Sequence, residues 1–221
     1  MSVQDEPGFG SAEARLYSIL AELISFPSDD LGEFVASGMV ATTVGELASR
    51  LPWAPELPLL TPAPLPSPGE VEAAYICLFD VPDRMPTPLY TGVYAPRRRD
   101  AMEELLRTYR HFGLTVSDDA HDLPDFVPTV LEFLGFLAED AAGEGGSSRE
   151  SRERAMADVL ERHLGPWATE TSTRLAKREA LRFYSQVVES IAALVAGRLA
   201  GLRQQYPSAR AAMSEGYRPS R

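Results

Sequence analysis

Residues 125–142 read DFVPTVLEFLGFLAEDAA, and within them Phe126, Val127, Val130, Leu131, Phe133, Leu134, Phe136 and Leu137 are apolar. Apolar side chains at i, i+3, i+4 and i+7 leave little of a helix polar, so this segment is predicted as a helix at the centre of the fold. Immediately upstream, 97–112 is amphipathic and stopped by Gly113, preceded by a helical pattern over 69–79 and a proline-bearing loop over 80–96. Further upstream, seven prolines fall between positions 52 and 68, which permits neither helix nor paired strand and predicts an extended connector. Leu16, Ile19, Leu20, Leu23 and Ile24 mark a helix over 11–26 that Pro27 ends. Ser28-Asp29-Asp30 is a cap signal for a short helix through Ser37, and another follows near 39–51. Downstream, GEGGSS at 143–148 reads as a flexible link, then helices are predicted over 149–163 and 166–202. No segment alternates with period two, so the fold class is all-α: a single-domain helical bundle over 11–203, with residues 1–10 and 204–221 as disordered ends.

The 221 residues suffice to bury roughly 70% of the unfolded surface in a core. A net charge of −11 repels phosphate backbones and anionic lipid, which argues against nucleic acid and membrane surfaces as partners. The first ten residues carry Asp5 and Glu6 with no basic n-region, and the best apolar run, 191–202, is interrupted by Gly197 and Arg198. A single cysteine, Cys77, excludes an intrachain disulfide, and together these features predict a cytoplasmic protein.

The tools of common enzymes are missing: no glycine-rich phosphate loop, no H-E-x-x-H, no G-x-S-x-G and no C-x-x-C. His111, His121 and His163 lie on three segments without metal-ligand spacing and read as exposed or capping residues. Cys77, with no cation within a turn, reads as a buried small hydrophobe. Arg97-Arg98-Arg99 precede Asp100, Glu103 and Glu104 at spacings that suit intrahelical pairs. No catalytic residue, metal ligand or permanently bound cofactor is predicted.

Three segments are unusual for a plain bundle. Tyr75, Leu78 and Phe79 form an aromatic and apolar stripe ending at a loop. Residues 86–96 gather three prolines with Tyr90 and Tyr94, a rigid aromatic loop suited to peptide docking. Asp125 and Glu132, at i and i+7, share one face if both are helical. Asp125 reads either as a helix cap or as a groove residue. Glu132, in so apolar a helix, either pairs with an arginine or joins Asp125 in lining a groove for a basic peptide.

At these residues the chain resembles the TorD/DmsD/NarJ family of molybdoenzyme maturation chaperones. The family's tyrosine followed by Leu-Phe, then P-x-Y and a second tyrosine, stands here as Tyr75, Leu78-Phe79, Pro88-Leu89-Tyr90 and Tyr94. Its Pro-Asp-His run followed by Leu-Glu-Phe stands as Pro124-Asp125-Phe126 and Leu131-Glu132-Phe133, with Phe126 in place of the histidine. His163-Leu164-Gly165-Pro166-Trp167 and Arg182-Phe183-Tyr184 resemble the family's C-terminal helix pair; the likeness covers residues 69–201.

The resemblance implies a cytoplasmic all-helical chaperone that binds the twin-arginine signal peptide or N-terminal segment of a molybdopterin-dependent oxidoreductase catalytic subunit. It would hold that immature subunit for cofactor insertion, assembly or Tat export, touching the client's molybdopterin cofactor at most transiently. The implied peptide contacts are Tyr75, Leu78, Phe79, Pro88, Tyr90, Tyr94, Asp125, Phe126 and Glu132. The loss of the family histidine points to the nitrate-reductase or dehydrogenase branch, whose clients need no twin-arginine signal. A competing reading is an all-α adaptor or regulatory subunit that binds an oxidoreductase without loading its cofactor. A helical metal-dependent hydrolase would need Asp125, Glu132 and a histidine to converge. The link at 143–148 allows a monomer or a domain-swapped dimer.

Overall fold

The structure, a computed structural model, describes residues 9–55, 57, 64–80, 87–115, 122–143, 147–176 and 182–206. The described residues form α-helices with no strand: α1 (Phe9–Leu23), α2 (Asp29–Ala36), α3 (Met39–Ser49), α4 (Pro68–Tyr75), α5 (Arg98–His111), α6 (Val127–Gly143), α7 (Ser147–Val159), α8 (Gly165–Leu175) and α9 (Arg182–Gln205). Single π turns extend α4 over Ile76–Asp80 and join α7 to α8 over Leu160–Leu164. Of the link predicted at 143–148, Gly143 closes α6 and Ser147 and Ser148 open α7, while residues 144–146 lie outside the described residues.

The apolar helix is central, as its pattern requires. Leu131, Leu134 and Leu137 of α6 are wholly buried, as are Leu20 and Leu23 of α1. The α1–α6 crossing is tight because Gly135 has no side chain: a Cβ there would sit 3.2 Å from the Ala14 carbonyl oxygen. Ser28 caps α2 as its sequence predicts, accepting a hydrogen bond from the Leu31 N–H.

Three local expectations are corrected by packing. First, the chain from 147 to 175 runs through Gly165-Pro166 without a break, since proline is tolerated in the first turn of a helix. A Cβ at Gly165 would lie 2.7 Å from the Leu160 carbonyl oxygen, so the π turn depends on that glycine. The break falls instead between α8 and α9, so the helix expected over 166–202 is two helices.

Second, Gly197 and Arg198 do not interrupt α9. Gly197 admits the Trp53 carbonyl and Pro55, either of which a Cβ would meet at 2.9 Å, so the connector starts out packed on α9. Arg198 is neutralised by Glu13 at 2.8 Å and Glu153 at 3.8 Å, and its guanidinium lies over the Trp53 ring. The helix over Arg182–Gln205 is thus long and apolar enough to cross a membrane by length and composition, with 44% of its most apolar window buried inside the bundle.

Third, Cys77 is exposed, because the helical phase that buries Ala74, Tyr75, Leu78 and Phe79 turns position 77 outward. His163 is buried at 3% exposure, whereas His111 is exposed and His121 lies outside the described residues.

Candidate functional site

The loop over Thr87–Arg97 lies against the turn that begins α6, and short-range order in both comes from their pairing. Tyr90 and Phe126 form an isolated antiparallel bridge, closed by Thr91 N–H to the Asp125 carbonyl and Val127 N–H to the Leu89 carbonyl, each 2.8 Å. Pairing sets the Tyr90 and Phe126 rings side by side, 5.5 Å apart and half-buried. A 3₁₀ turn over Thr91–Tyr94 follows, leaving Val93 45% exposed, and Leu123, ahead of α6, is 42% exposed.

Asp125 sits beneath this platform. Its side chain is wholly buried, Oδ2 accepts a hydrogen bond from the Gly92 N–H at 3.1 Å, and Arg98 Nε approaches to 3.6 Å. Glycine at 92 is needed for that approach, since a Cβ would stand 2.6 Å from Oδ2. Arg98 also lies over the Tyr90 ring, 5.4 Å from its centroid. Arg97 and Arg99 make the intrahelical pairs their spacing predicts, with Asp100 at 3.1 Å and Glu103 at 2.9 Å, while Arg98 turns inward to Asp125.

Pro88 anchors the loop from the other side: its carbonyl accepts from the Trp167 indole N–H at 3.1 Å and the Tyr94 hydroxyl at 3.4 Å. The Thr171 hydroxyl donates to the Tyr94 hydroxyl at 3.3 Å, and Arg174 lies over the Tyr94 ring. Thr87 is buried and donates to the Leu78 carbonyl at 3.0 Å, tying the loop to the π turn.

The Tyr75 stripe lies deeper. Tyr75, Leu78 and Phe79 are at most 6% exposed, and Tyr75, Phe79 and Tyr184 form a cluster of edge contacts between 5.3 and 6.0 Å. Burial pushes the Tyr75 and Tyr184 hydroxyls above their ordinary range, so both stay neutral. Burial also raises the Tyr90 hydroxyl, reinforced by Asp122 and Asp125 and opposed by Arg98.

Of the nine residues singled out in the sequence, Pro88, Tyr90, Tyr94 and Phe126 are half-buried, on the loop over Thr87–Arg97 and the turn paired with it, and Asp125 is wholly buried. Tyr75, Leu78 and Phe79 form core behind them. Glu132 stands apart: it is exposed on α6 and does not share a face with Asp125. The expectation of paired carboxylates fails because α6 begins at Val127; the bridge to Leu89 and Thr91 holds Asp125 in the preceding turn, pointing inward. Nor does Asp125 cap its own helix: Oδ2 accepts from the Gly92 N–H, and Oδ1 is buried without a hydrogen-bond partner among the described residues. Among the described residues no group of three His, Cys, Asp or Glu side chains could hold a metal. Arg98 on Tyr90 and Trp167 on Pro88 were not singled out in the sequence, because both contacts span elements whose pairing only the fold defines.

Residues 40–172 match the family model described as nitrate reductase delta subunit. The chain is similar to the selenate reductase assembly chaperone protein of Thauera selenatis, 34% identical over 142 residues, 62% of this chain and 72% of that protein. Similarity to the perchlorate reductase assembly chaperone protein of Dechloromonas aromatica (strain RCB) is 30% over 195 residues, 80% of this chain and 84% of that protein. The chlorate reductase assembly chaperone protein of Ideonella dechloratans is 36% identical over 130 residues, 57% of this chain and 66% of that protein. The family match contains all nine singled-out positions and begins ahead of residue 69, where the recognisable motifs start.

Proposed function

We propose a function from one premise: this chain belongs to the nitrate reductase delta subunit family. It acts as a system-specific assembly chaperone for a molybdenum-dependent reductase, in keeping with relatives named as selenate, chlorate and perchlorate reductase assembly chaperones. In the cytoplasm it binds the signal peptide or N-terminal segment of the client's catalytic subunit and holds that subunit until its cofactor is inserted and assembly or Tat export follows. The protein is not an enzyme in this reading, and its work is done by binding.

The observation that carries the reading is the Tyr90–Phe126 pair on its pinned loop. Two half-buried rings, with Val93 and Leu123 exposed on the same two segments, offer apolar area whose geometry is fixed before a partner arrives. A fixed aromatic surface loses little conformational entropy on binding, which is what recognition of an extended or helical peptide requires. Asp125 positions the loop, and Tyr75, Leu78 and Phe79 support it from behind.

The test is capture of partners from cell extract by the full chain, with and without molybdenum-cofactor synthesis, read by mass spectrometry. Enrichment of a cofactor-free catalytic subunit supports the chaperone. Recovery of only finished reductase complexes would instead identify an adaptor or regulatory subunit.

A further inference from the structure

The π turn over Leu160–Leu164 carries His163 into the core at 3% exposure, where that turn packs against the 3₁₀ turn over Thr91–Tyr94. The imidazole Nδ1 is buried with no hydrogen-bond partner among the described residues, and Nε2 stands 3.9 Å from Glu104 Oε2, beyond hydrogen-bond length. Two polar atoms of the facing segments are in the same state: Thr91 Oγ1 on the 3₁₀ turn, and Oδ1 of Asp125, whose other oxygen holds Gly92 of that turn. A core position that required only volume would be filled at less cost by leucine or phenylalanine, because a buried ring nitrogen without a hydrogen bond has lost its hydration for no return. An imidazole has one property that those side chains lack, a proton taken up near neutrality.

His163 also lines a cavity of about 430 Å³ between α5 and α7, whose walls include the exposed Arg107, His111 and Arg154, so the junction has a route to water. Glu104 on α5, Asp158 on α7 and Asp125 ahead of α6 favour a proton on the ring, and Arg162 beside it opposes one. The neighbouring charges of α9 and α8 are paired, Arg203 with Glu161 of the π turn at 2.7 Å and Arg174 with Glu170 at 2.9 Å. The 3₁₀ turn adds the Tyr94 hydroxyl, which burial keeps neutral. Burial outweighs the carboxylates at His163, so the closed arrangement holds the ring neutral and acid favours any arrangement that hydrates it. One turn further along, Trp167 donates to the Pro88 carbonyl at 3.1 Å, so movement of the π turn also draws on the second anchor of the loop. Single π turns within helices recur at functional sites.

We propose that His163 is a proton-operated positioning residue for the loop over Thr87–Arg97. Neutral, it fills the junction and keeps Asp125 on Gly92; protonated, it turns through the cavity toward water, the π turn follows and the loop loosens. The loosening rests on this geometry alone. Its consequence, release of the partner from the Tyr90–Phe126 face in acid, rests on the chaperone reading.

The test follows amide hydrogen exchange of the full chain at Gly92 and at Leu134, which is wholly buried in α6, from pH 7.5 to 5 with the intrinsic pH dependence removed. Gly92 should exchange through an opening smaller than the global unfolding that frees Leu134, and acid should promote that opening about tenfold. His163→Gln should abolish the acid effect. Glu104→Gln, which removes the carboxylate facing Nε2, should move its midpoint to lower pH, a response that packing alone does not produce, and it decides the matter if His163→Gln does not fold. His111→Gln, at the exposed imidazole of the same cavity, should leave the midpoint in place. Protection of Gly92 equal to that of Leu134 throughout, an acid effect that persists in His163→Gln, or a midpoint unmoved by Glu104→Gln or moved by His111→Gln would each overturn the switch. A partner captured from extract at pH 7.5 should come off the unaltered chain at pH 5 and stay on His163→Gln; one that stays on while Gly92 opens would overturn the release. Opening at Gly92 in a chain that captures no client sinks the chaperone reading alone; capture by a chain whose Gly92 stays protected in acid sinks the switch alone.

Discussion

Asp125 and Gly92 are 33 residues apart in sequence, and the wholly buried carboxylate of one accepts a 3.1 Å hydrogen bond from the backbone N–H of the other. This contact turns a proline-rich loop into a fixed surface. The carboxylate sits where nothing outside can touch it, with Arg98 over its outer side and Tyr90 stacked on Arg98 in turn. In the proposed function its influence on a partner passes through the loop it holds.

Asp125→Ala removes the acceptor for a buried N–H and should destabilise the protein by about 1–3 kcal/mol. Asp125→Asn should lose less, because its amide oxygen can still accept from Gly92. Urea midpoints of the two variants measure the difference; an unchanged midpoint for the alanine variant would show that the carboxylate does not hold the loop.

Gly92→Ala places a methyl group 2.6 Å from Asp125 Oδ2 and 3.0 Å from Arg98 Cγ. The loop must shift, at a cost of about 1–3 kcal/mol. Gly69→Ala is the control: its Cβ meets nothing within 4 Å in the first turn of α4, so thermal unfolding should show no loss there.

Leu78→Ala and Tyr90→Ala should separate support from contact. Leu78 is wholly buried, and its truncation should cost about 2–5 kcal/mol of stability. Tyr90 is half-buried at the surface; its truncation should reduce client capture with a much smaller change in the denaturation midpoint. Capture unaffected by Tyr90→Ala would remove this face from the binding surface.

Burial holds the His163 imidazole below its ordinary value, against the opposing influence of Glu104 at 3.9 Å. The unfolded chain therefore takes up this proton first, and folding stability should fall as pH drops below about 6.5. His163→Gln should remove that part of the slope in a series of unfolding curves from pH 7.5 to 5. An identical slope in the variant would place the pH dependence elsewhere.

The helices were legible because their causes are local. The apolar face of 125–142, the Ser28 cap and the stop at Gly113 each act within a turn or two of chain, and α6, α2 and α5 follow them closely. The motif residues were legible too, since Tyr75, Leu78-Phe79, Pro88, Tyr90 and Tyr94 keep a linear order. What each of them does was not. Periodicity placed Asp125 and Glu132 on one face, but a bridge to a loop over thirty residues away keeps Asp125 out of the helix and turns it inward.

Glu132 gains its neighbours Glu22 and Asp30 only because α1 crosses α6 at Gly135 and the chain then turns at Pro27 into α2. Linear spacing on its own therefore determined the all-helical class, the main elements and the family motifs, because hydrophobic periodicity and capping are short-range. Tertiary structure decided which residues are core, which hold the loop and which stay at the surface, because burial and charge pairing depend on contacts between segments far apart in the chain.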